Sequence, residues 1–245
     1  MRQATLQALI MTVLTAFVCA VVMTSAPLAQ GWQDEFHLAT RKLTPTGAST
    51  YSILFPGYQI VLASKQAKLT TTVLEETKEI NGIMTRVVEE REERHGALYA
   101  ISRNFVALDQ DTGDVFYFGE TVDFYQHGHV VSHAGSWQAY TKGSRPGLLI
   151  PGAPHVGMKY YQELAPGVAM HRAEVLSISD TVSTPAGAWQ ECVTIVEIET
   201  SKNKWLDLLA PKEYQVYAPG IGLVQEQAMK LVRYGYILRI DTLSP

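Results

Sequence analysis

Three histidines crowd one short stretch, His127, His129 and His133, in the run His-Gly-His-Val-Val-Ser-His. Imidazoles hold zinc or copper when several converge on one ion at about 2.0–2.1 Å. Residues two apart on a strand share a face and lie about 6.6 Å apart, so His127 and His129 could chelate together. His133 sits about 13 Å further along and joins them only if the strand bends. A third ligand would come from His155, His171 or Glu163, and a turn at Gly128 would break the shared face. The competing reading is a set of polar residues at a hairpin tip.

Other groups carry weaker signals. Asp109 and Glu120 have the spacing of the first and last ligands of an EF-hand, with Asp111 and Asp114 between. Gly113, however, falls one place early, and strand-like residues follow it. This run reads as an Asp/Gly turn. Glu163 and Glu174 are the carboxylates considered for glycoside hydrolysis, where their separation would decide the mechanism. Ser136 in Gly-Ser-Trp lacks the second glycine of a nucleophile elbow. The chain has neither a dinucleotide fingerprint nor a P-loop. Cys192 lies in a strand-like run and reads as a small buried hydrophobe.

A different chemistry rests on the aromatics. Tyr117, Tyr125, Trp137, Tyr160, Trp189 and Tyr217 could line a hollow inside a curled sheet, with Glu163 or Arg86 fixing a polar end. The expected ligand-binding set is Arg86, Tyr117, Trp137, Tyr160, Glu163 and Tyr217. The alternative is core packing with tyrosine hydroxyls at the rim.

The elements that must position these residues are strands. Tyr58–Ala63, Leu69–Ile80 and Ile83–Val88 are rich in β-branched residues, and Asn81-Gly82 is a strong hairpin signal between the last two. The charged run Glu89–His95 reads as the solvated end of that long hairpin. His127-Gly128 and Pro185-Ala-Gly187 mark further turns. A loop over Ser201–Pro211 could hold a helical turn around Trp205. About eleven or twelve strands spaced by turns indicate an all-β antiparallel meander forming a barrel, half-barrel or sandwich.

The 245 residues open with Arg2, an apolar run of about 15 residues from Leu9 to Met23, and small residues at Ser25, Ala26 and Ala29. This is the pattern of a cleavable signal peptide over residues 1–29. The run is short of the roughly 20 residues a membrane-spanning helix needs. A lipoprotein signal would want a small residue before Cys19, and Val18 stands there. Residues 30–50 read as a loosely held arm, and 51–245 as one antiparallel β domain. Loss of Arg2 takes the formal net charge from −4 to −5, and no basic stripe is present. That argues against nucleic acid and against a polybasic membrane anchor. Loss of Cys19 leaves one thiol, so no internal disulfide is expected.

From Tyr51 to about 230 the chain resembles a family of exported bacterial β proteins of unknown function, including a TapB-like group. The resemblance is carried by the order of Thr85-Arg-Val-Val88, Gly113–Glu120, Gly135-Ser-Trp137, Pro146-Gly147, Val156-Gly157 and Tyr160-x-Gln-Glu163. It continues through Pro166–Ala169, Ala173-Glu-Val175, Val182-x-x-Pro-Ala-Gly187, Cys192 and Tyr217–Val224. It implies an exported β fold and no established chemistry. The sequence departs from the family pattern at His127, His129 and Met170-His171.

These readings together predict a periplasmic or secreted, non-enzymatic β protein. Its partner would be a hydrophobic or amphipathic small molecule, a lipid or an envelope protein, and it would not be an integral membrane protein after cleavage. The alternatives are a zinc or copper protein or metal-dependent hydrolase built on His127 and His129, and a structural subunit of an envelope assembly.

Overall fold

The computed structural model describes residues 31–200 and 211–237. The leader and the loop around Trp205 lie outside the described residues. The strands are β1 (Leu43–Thr44), β2 (Ala48–Ser49), β3 (Ser52–Ile53), β4 (Tyr58–Ala63), β5 (Ala67–Ile80), β6 (Ile83–Arg94), β7 (Ala97–Asp109), β8 (Val115–Gln126) and β9 (His129–Ser132). They continue with β10 (Trp137–Gln138), β11 (Gly147–Ile150), β12 (Lys159–Tyr161), β13 (His171–Thr184), β14 (Gly187–Glu199), β15 (Lys212–Ala218), β16 (Gly222–Glu226) and β17 (Met229–Tyr236). One 3-10 turn at Leu38–Thr40 is the only helical element among the described residues.

Apart from β2 and β3, which pair with each other, the strands join one antiparallel sheet along the path β10-β8-β7-β6-β5-β4-β17-β16-β15-β14-β13-β12, with β1 added on β7 and β9 and β11 on β8. The all-β antiparallel fold is therefore as the strand-and-turn pattern predicts. Turn chemistry sets the long hairpins. Asn81-Gly82, His95-Gly96 and His127-Gly128 each place two consecutive residues at positive φ, the backbone of a type I′ turn whose twist suits paired strands. The run Glu89–Arg94 is strand, as expected.

The sheet curls until its ends meet. Strand β11 pairs with β8, and on its other side it approaches the segment after β12. The Arg145 N–H donates to the Leu164 carbonyl at 2.8 Å. Gly147 lies so close to Gln162 that a Cβ there would stand 2.1 Å from the Gln162 carbonyl oxygen. A Cβ at this position is sterically forbidden, so glycine permits the seam.

The arm before β1 is pinned rather than loose. Gln33 donates its N–H to Lys159 and accepts from Tyr161. Phe36 is buried against Phe116. Arg41 Nη1 contacts Asp109 and Asp114, each at 2.8 Å. These contacts hold the polar turn between β7 and β8, so its carboxylates serve a guanidinium.

Two apolar clusters stabilise the structure. One centres on β7, β8, β11 and the inner residues of β13 and β14. The other joins β4, β5 and β15–β17 around Leu62, Leu231 and Cys192. Each fully buried Val, Leu, Ile or Phe contributes about 1.5–3 kcal/mol relative to exposure.

Candidate functional site

Inside the curl lies a cavity of about 320 Å³. Its apolar wall is built by Tyr58 and Ile60 of β4, Val73 of β5 and Val106 of β7, with Leu149 and Ile150 of β11. Its polar wall carries six glutamates: Glu90, Glu120, Glu163, Glu197, Glu213 and Glu226. No Lys, Arg or His is among the described lining residues.

Period-two alternation explains part of this set. Val193, Ile195 and Glu197 share one face of β14, and Glu213, Gln215 and Tyr217 share one face of β15. Two glutamates owe their place to β-bulges. On β7, Asn104 and Val106 are two apart, yet they pair with Glu120 and Tyr117, which are three apart. The extra residue, at Phe118-Gly119 with Gly119 at φ 120, turns Glu120 to the same side as Tyr117. On β16 the register slips between Val216–Gln225 and Tyr217–Leu223. Both Leu223 and Glu226 then face the cavity.

The polar wall is a network with most of its donors engaged. Tyr117 Oη donates to Asn104 Oδ1 at 2.6 Å. Tyr217 Oη donates to Gln215 Oε1 at 2.9 Å, and Gln215 Nε2 donates to Glu197 at 3.3 Å. Gln162 is 2% exposed; its Nε2 donates to the Leu149 carbonyl, while its Oε1 is buried without a hydrogen-bond partner. His171 stands behind the wall with Nδ1 3.0 Å from both Glu163 and Glu197. Glu163 Oε2 is in ion-pair contact there but receives no aligned hydrogen bond.

Crowded carboxyls inside protein resist ionisation. Burial, then the charges of Glu163 and Glu90, push Glu120 up to about 8. Burial, then Glu90, Glu213 and Glu197, push Glu226 up to about 8. Glu90 keeps some water-facing surface, but protein surrounds it, and burial raises it as well. Glu213, at the exposed rim, is raised by burial and by Glu197, its direct cross-strand partner. Burial opposes protonation of His171, but its close contacts with the Glu163 and Glu197 carboxylates outweigh this and push it up to about 11.

The residues expected to bind ligand divide into two groups. Tyr117, Glu163 and Tyr217 line the cavity. Arg86, Trp137 and Tyr160 do not. Arg86 is buried and donates to the carbonyls of Pro45 and Glu75, each at 2.8 Å. Trp137 packs edge-on against the Tyr117 ring with centroids 5.5 Å apart. Tyr160 is fully buried in the main core. Tyr125 and Trp189 are also outside the cavity lining.

His127 and His129 are exposed at the tip of the β8–β9 hairpin, and His133 pairs with Asp123 at 2.7 Å. Among the described residues no three His, Cys, Asp or Glu side chains are grouped to hold a metal ion. Ser136 Oγ accepts from the Val122 N–H, and Glu174 faces Lys159 at 3.6 Å. Cys192 is fully buried, and burial pushes its thiol up.

No relative marks this site. The chain matches no family model, no curated protein and no solved structure. Glu90, Glu120, Glu197, Glu213 and Glu226 are site residues that the aromatic reading passes over. For Glu197 the signal was present, since it continues the apolar period of Val193 and Ile195. For Glu120 the signal was a glycine inside a strand, which marks a bulge.

Proposed function

We propose that this chain is an exported, non-enzymatic binding protein that takes a small amphipathic molecule into the interior of its curled sheet. The supporting observation is the two-sided cavity, with aliphatic and aromatic residues on one wall and glutamates on the other. Such a hollow suits a ligand with an apolar body and a polar end, and its volume lies at the small end of the roughly 300–1,000 Å³ range of ligand pockets. Packing to native density would have filled it with side chains. Removal of the leader and release to the periplasm or the medium belong to the same proposal.

The test is binding of an environment-sensitive fluorophore, 1-aminoanthracene, to protein recovered from the cell envelope. Saturable binding at one molecule per chain, abolished when Val106→Trp fills the apolar wall, supports the reading. Absence of saturable binding, or binding indifferent to that substitution in a folded variant, would refute it.

A further inference from the structure

We infer that the polar end of the cavity's ligand is a cation, a protonated amine or a guanidinium, held by Glu90, Glu120 and Glu226 with Gln162 Oε1. This rests on the binding reading above and specifies its ligand.

The argument begins with what the wall has left to offer. Its tyrosine donors are engaged, Tyr117 with Asn104 and Tyr217 with Gln215. Of its buried side-chain atoms, Gln162 Oε1 and Thr71 Oγ1 have no hydrogen-bond partner, while Glu163 Oε2 has the His171 ion pair at 3.0 Å. The amide of Gln162 is independent of the acidic cluster. It is held by its own Nε2 bond to Leu149 at 2.9 Å, which fixes the amide and leaves its oxygen unsatisfied. A buried acceptor without a donor is costly, so a ligand supplying N–H groups and few acceptors completes this wall.

Charge points the same way. Six glutamates line the cavity and no cationic side chain does. His171 makes its ion pairs with Glu163 and Glu197, and Glu90, which presses on both Glu120 and Glu226, has no such pair among the described residues. Glu120 is faced by Glu163, Glu90, His171 and Tyr117. Glu226 is faced by Glu90, Glu213, Glu197 and Glu92. A carboxylate or phosphate head would add like charge to this set, whereas an ammonium relieves it.

The crowding has a measurable corollary. Glu120 and Glu226 hold protons near neutral pH, and an arriving cation makes ionisation favourable. Binding of an amine therefore releases protons, seen as a binding enthalpy that changes with the ionisation heat of the buffer.

The experiment compares octylammonium, octanoate and 1-octanol as displacers of 1-aminoanthracene, with calorimetry of octylammonium at pH 7 in two buffers. Octylammonium is expected to displace at least ten-fold better than octanol, octanoate more weakly than either, and protons to be released. The double variant Glu120→Gln, Glu226→Gln is expected to lose at least ten-fold for octylammonium and less than two-fold for octanol. If octanol or octanoate matches octylammonium, the cationic assignment is wrong and the amphipathic-ligand reading stands. If the double variant folds and keeps its affinity for octylammonium, these carboxylates do not hold the cation. If neither the fluorophore nor any displacer binds, both readings fail. Should the variant not fold, the ranking of the three displacers on the unaltered protein decides alone.

Discussion

Replacing Glu120 by glutamine should make this protein more stable, and only above acidic pH. In the folded chain Glu120 keeps its proton up to about pH 8, against an ordinary value of 4.5. The unfolded chain releases that proton near 4.5, so between these limits the native state binds more protons and stability falls as pH rises. At pH 7 the interval crossed is about 2.5 pH units at about 1.36 kcal/mol each, a penalty of about 3 kcal/mol. Protons shared with Glu163 and Glu90 dilute the effect of one site. The expected gain from Glu120→Gln is therefore about 2 kcal/mol at pH 7, or roughly 4–8 °C in Tm for a domain of this size. At pH 4.5 the carboxyl is neutral in the native state, and the gain should vanish. Urea denaturation from pH 4.5 to 8 measures both arms. A Glu120→Gln protein that is less stable throughout, or whose gain is the same at every pH, would show that the carboxyl is not crowded as described.

His171 favours the fold where Glu120 penalises it, yet both make stability fall as pH rises. Its raised value stabilises the fold fully below its ordinary 6.5, and that contribution is lost as pH climbs toward about 11. His171→Gln is expected to cost about 1–3 kcal/mol at pH 5.5, a figure discounted because the ring is about a third exposed, and clearly less at pH 9.5. A cost that grows with pH would contradict the ion pairs. Gly119→Ala should destabilise by about 3 kcal/mol or more, since the new methyl would lie 2.3 Å from the Trp137 carbonyl oxygen at φ +120. Thermal unfolding checks it, and an unchanged Tm would dismiss the bulge as the device that aims Glu120. Cys192 should resist a thiol-reactive disulfide reagent in native buffer and react at once in urea; rapid native labelling would show the strand pair around it to be open.

The hairpins were legible because their turns are written in residue types that tolerate positive φ, as at Asn81-Gly82. The cavity wall was legible only where strict alternation holds. Glu197 follows Val193 and Ile195 in step, and Glu163 stands out in the sequence by its charge beside aromatics. Glu120 and Glu226 were hidden by bulges, which shift the parity of every residue beyond them by one. Glu90 was masked by its neighbours. In a run of charges an alternating strand still sends every second side chain inward, and here one of these meets Thr71 and the cavity. The pinned arm was illegible for a different reason. Arg41 and Asp109 are joined across the fold, and separation along a chain carries no mark of such a meeting. Arg86 misled because a lone buried cation among strands resembles a ligand anchor, while here it serves backbone carbonyls.

The place where the sheet's ends meet works as a clasp. Long ladders hold most of the ring, but this joint closes through the Arg145–Leu164 bond and the Gln162 amide on Leu149. Opening here breaks fewer ladder bonds than parting any of the long hairpins, so amide protons at the clasp should exchange with solvent ahead of those in β6 or β7. Gln162 fastens the clasp with its nitrogen and also lines the hollow, so filling the hollow and shutting the ring draw on the same side chain.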